Sequence, residues 1–66
     1  MNPIVRANLE QAALAIRNGH AHLAIPDLQV ALRNCSNPKV WSKIMLALRE
    51  TRKIVAGWEA QRWTAD

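Results

Sequence analysis

Two Asn-Pro pairs, Asn2-Pro3 and Asn37-Pro38, stand 35 positions apart and constrain this chain more than any other feature. Each reads as a helix start. Asn offers a side-chain acceptor to the free amides of a first turn, and Pro at the next position lacks an N–H that would go unpaired there. Both pairs are followed by apolar residues at helical spacing, so the pattern predicts an all-α chain with helices opening at Pro3 and Pro38.

The first helix is expected over 3–18, with Val5, Leu9, Ala12, Ala13 and Ile16 on one face. Asn18-Gly19 ends it, because Gly accepts the left-handed conformation that closes a helix. A second helix carries Ile25, Leu28, Ala31, Leu32 and Cys35 on one stripe. Pro26 is comfortable only in a first turn, which places the start near Ile25 and the helix over 25–34, or slightly earlier with an irregular turn. The third helix, 38–62, is the longest. Val40, Trp41, Ile44, Ala47, Leu48, Thr51, Ile54, Val55 and Trp58 form its seam, and Trp41 at the head of that seam reads as core. About 25 residues span roughly 37 Å, more than either companion. The C-terminal half of the third helix should therefore overhang them, carrying Ile54, Val55, Trp58 and Trp63 into water.

The repetition extends beyond the caps. A shift of 35 superposes Val5 on Val40, Leu9 on Ile44, Ala12 on Ala47 and Arg17 on Arg52, a period in the range of helical repeats. Gly19, Ala24, Leu28, Ala31 and Leu32, followed by Pro38, Trp41, Ile44 and Leu48, resemble the tetratricopeptide pattern over about two-thirds of the chain. The resemblance implies antiparallel helix pairs that present a groove to a peptide or helix. The sequence departs from that pattern at Ala21, where an aromatic is usual, at Met45, where a small residue is usual, and at Pro26. Arrays of this family use about three repeats, and this chain has little more than one.

Sixty-six residues hold one domain of slim stability. A single cysteine, Cys35, excludes an intrachain disulfide and fits a reducing, cytoplasmic location. The first residues lack the basic start and long apolar core of a secretory signal, and the longest apolar runs, Ala12 to Ile16 and Ile44 to Leu48, are far too short to span a bilayer. Of the usual supports for a small domain, self-association is the one left, and a homodimer formed along the third helix through Ile54, Val55 and Trp58 is expected to complete the fold.

Catalysis and metal binding find little purchase. His20, His22, Asp27 and Cys35 are the metal-type residues, and they lack the companions for a four-ligand site. Ser36, Ser42, Thr51 and Cys35 have no acid–base partner at a fixed spacing, and so short a chain hardly encloses a substrate pocket. The expectation is a non-enzymatic protein with no cofactor. Nine Lys and Arg against five Asp and Glu give a net charge of +4, which favours acidic partners or nucleic acid. On the third helix Met45 and Leu46 stand off the seam beside Arg49, Arg52 and Lys53. These five residues are the expected surface for another protein, either an acidic surface or a helix or peptide. The expected role is that of an adaptor, a small chaperone, or a phage- or plasmid-type inhibitor of a host regulator. The alternative is a small DNA-binding regulator that uses the basic third helix.

Overall fold

In the computed structural model, which describes residues 2–64 and the side chains of 2–61, three helices follow one another: α1 (Pro3–Arg17), α2 (Ala21–Asn34) and α3 (Pro38–Thr64). Both Asn-Pro pairs cap as their chemistry predicts. The Asn2 side chain accepts from the Ile4 amide at 2.8 Å, and the Asn37 side chain accepts from the Lys39 amide at 2.9 Å. The two carbonyls behave alike as well, receiving the amides of Arg6 and Trp41 at 3.0 and 2.8 Å.

Gly19 closes α1 with a positive φ of 79°. Its amide donates to the Ile16 carbonyl at 3.1 Å and the His20 amide donates to the Ala15 carbonyl at 2.7 Å. This pair of bonds is the Schellman arrangement, which satisfies the carbonyls a helix end leaves open.

The second helix begins at Ala21, four residues before Ile25, and Pro26 lies inside it. The start has no side-chain cap, and a tight turn joins the Leu23 amide to the His20 carbonyl at 2.9 Å. Packing overrides the local preference here. Ala21 and Ala24 are buried, and Ala24 belongs to the main core cluster, so the extra turn gains apolar burial that offsets the one bond Pro26 cannot make.

The short turns lay α2 antiparallel to its neighbours. The start of α1 (Asn2, Val5) shares a depression with the end of α2 (Asn34) and the start of α3 (Val40), and His22 at the other end of α2 lies beside Val55 and Trp58. Among the described residues α1 and α3 both pack on α2, yet their backbones nowhere approach each other. The 35-residue repeat is thereby realised in space: Val5 and Val40, Leu9 and Ile44, Ala12 and Ala47 all contribute to one core, closed by Ala24, Leu28 and Ala31 from between.

The helical periodicity is only partly used. On α1, Val5 and Ala12 are buried and Leu9 half-buried, whereas Ala13 and Ile16 are exposed, because a single neighbouring helix covers a narrower strip than the sequence offers. On α3, Ile44, Leu48 and Thr51 are buried and Val40, Ala47 and Val55 half-buried. The Thr51 hydroxyl is satisfied by donating to the Ala47 carbonyl at 2.7 Å. No helix among the described residues is long and apolar enough to cross a membrane.

Candidate functional site: an uncovered face of α3

Trp41 does not sit in the core. It is 43% exposed, at the head of a stripe that continues through Met45, Arg49, Arg52 and Ala56. These positions recur at intervals of four, four, three and four, so they lie along one side of a helix over about 22 Å. Nothing else among the described residues covers them. Met45 is 38% and Leu46 59% exposed, and together with Leu48, whose edge reaches the same surface, they line an open depression of about 650 Å³. All of its lining residues belong to α3, so this is a bare helix face rather than an enclosed cavity.

Its charge is one-sided. Lys53 holds Glu50 at 3.5 Å, an exposed contact of the kind that contributes little. Among the described residues Arg49 and Arg52 are in no ion pair. All five residues expected from the sequence to form a partner surface, Met45, Leu46, Arg49, Arg52 and Lys53, line this face, and Trp41 joins them.

The expected overhang is shorter than the sequence suggested. With α2 starting at Ala21, its first turn reaches far enough along α3 for the His22 ring to meet Trp58 edge-on, centroids 6.3 Å apart. Val55 is half-buried there, while Ile54 and Trp58 remain exposed at 44% and 41%. Ile54 lies nine residues from Met45, half a turn out of phase at 3.6 residues per turn, and so projects from the opposite flank of α3. The side chains of Arg62 and Trp63 lie outside the described residues.

His20 and His22 are edge-to-face at 6.1 Å. Among the described residues no group of three or more His, Cys, Asp or Glu is arranged to hold a metal ion. Cys35 is half-buried at the other end of α2, its thiol 3.4 Å from the Asn37 carbonyl.

No family model, curated protein or solved structure matches this chain. Its role is therefore read from the α3 face alone.

Proposed function

We propose that this chain is a non-enzymatic protein-binding module that captures another protein on the uncovered face of α3 and modulates it, as an adaptor, small chaperone or inhibitor. The observation that carries this reading is the stripe from Trp41 to Ala56, with large apolar side chains in its first half and two arginines at its middle, left uncovered by the other described residues. Large apolar side chains grouped on one exposed surface mark interaction sites, and Trp and Arg are the side chains most enriched where binding energy concentrates. The tetratricopeptide-like reading belongs to the same proposal. It is supported by the burial of Ala24, Leu28 and Ala31 and by the helix-closing Gly19.

Self-association is a second part of the proposal and uses a different flank, with Ile54, Val55 and Trp58 meeting their counterparts in a second copy. Support comes from the ten large apolar side chains among the described residues that stay more than a third exposed, against four that are buried: Val5, Leu28, Ile44 and Leu48. DNA binding through Arg49 and Arg52 is the competing role.

Capture from the native host with wild-type and Met45→Asp baits tests the main reading. A partner retained by the first and lost by the second supports it. Salt-sensitive binding to random duplex DNA that vanishes when Arg49 and Arg52 are replaced would transfer the role to nucleic acid.

A further inference from the structure

We infer that the occupant of the Trp41–Ala56 face is an acidic amphipathic helix of another protein, and not a second copy of this chain. The inference rests on the protein-binding reading above and assigns the partner's chemistry. Shape comes first. The face is straight and about four turns long, with exposed Met45 and Leu46 along it and the small Ala56 at its far end. A helix with apolar residues at intervals of three and four fits such a strip, in the helix-in-groove manner of recognition.

Charge then selects the occupant. Arg49 and Arg52 lie near the middle of the stripe, and no carboxylate of the described residues is within ion-pair distance of either. A second copy docked about a two-fold axis with its stripe fully overlapping this one would bring Arg49 close to its own counterpart whether the helices run parallel or antiparallel, because Arg49 lies at the middle of the stripe. The four arginines would then gather with no acid between them, in a chain that already carries +4. Like charges set face to face in this way oppose association. A partner helix with Glu or Asp flanking its apolar stripe supplies what both arginines lack, and Arg pairs well with carboxylates in two-pronged geometry. Ile54 and Trp58, on other sides of α3, remain free for self-association.

Two synthetic helical peptides of about 18 residues, long enough for the strip, provide the test. Both carry leucines along one face; one has glutamates on the flanks and the other lysines. Titration into the full chain, followed by tryptophan fluorescence, should show the glutamate peptide binding at least about tenfold more tightly at low ionic strength. Added salt should narrow the gap. The Arg49→Glu/Arg52→Glu double variant should invert the preference. Met45→Asp, an exposed change that leaves the core alone, should weaken both peptides while the circular dichroism spectrum stays helical. Equal affinity for both peptides overturns the charge assignment and leaves the protein-binding reading standing. Binding that is indifferent to Met45→Asp overturns the location. A dimer in sedimentation that Met45→Asp dissolves makes the second copy the occupant, and duplex DNA bound through the two arginines makes it a nucleic acid. Either result ends the proposal.

Discussion

At Gly19 the backbone enters the left-handed region, with a φ of 79°, and an added Cβ would meet nothing within 4 Å. Substitution there is therefore a test of backbone strain alone. Gly19→Ala should cost about 1–2 kcal/mol, since a side chain in this conformation crowds its own carbonyl. Gly57 offers the opposite case. It lies inside α3, where an added methyl group would also meet nothing within 4 Å, so Gly57→Ala should gain about 0.8–1.0 kcal/mol of helix propensity. Urea unfolding followed by circular dichroism measures both, and the two midpoints should move in opposite directions. Gly19 and the two asparagine caps were legible in the sequence because their effects are local: each bonds within a few residues of itself. Trp41 was not legible. It lies only one residue from Val40 on the helix seam, and periodicity does not say how wide a strip a neighbour will cover. Its membership of the stripe with Met45, Arg49, Arg52 and Ala56 was present in the spacing, displaced to one side of the seam.

Among the elements, α2 differs most from its sequence pattern. No capping side chain marks its start, and Pro26 argues for a start at Ile25, yet the helix begins at Ala21. Burial of small residues at the contact decides the outcome, and that is a tertiary effect no local signal reports. Pro26→Ala separates the two possibilities. In the second turn of a helix that begins at Ala21, alanine restores the amide that Pro26 denies to the His22 carbonyl. Stability should then rise by about 1–3 kcal/mol, up to the usual interior penalty of proline. In a domain this small that is a melting-temperature gain of at least about 4 °C. An unchanged or lowered melting point would place residue 26 in a first turn after all. The stripe of Leu28, Ala31, Leu32 and Cys35 was readable without this knowledge, because all four are buried or half-buried on the face that meets α1 and α3. The early start also shortens the overhang of α3, because α2 gains a turn at the end where His22 reaches Trp58.

For the whole molecule, surface and shape tell the same story. The accessible surface is 5091 Å², whereas monomers of this mass average about 4,200 Å². The radius of gyration is 13.0 Å, against about 11 Å for a compact chain of this length. The extents of 45 × 20 × 14 Å describe a thin, elongated body. If two copies associate through Ile54, Val55 and Trp58, the melting temperature should rise with protein concentration, since only the folded state is drawn into the dimer. Trp58→Ala should flatten that dependence, and sedimentation equilibrium on both proteins checks it. A dimer unaffected by the substitution would remove Trp58 from the interface.

The separation of α1 from α3 has its own consequence. Among the described residues the backbone of each outer helix packs on α2 alone, with side chains of both in the shared core, so either can peel away while the other two stay joined, like the covers of a book hinged on a single spine. Protection from solvent exchange should accordingly be deepest in the fourteen residues of α2, which are laid bare only once both covers have opened.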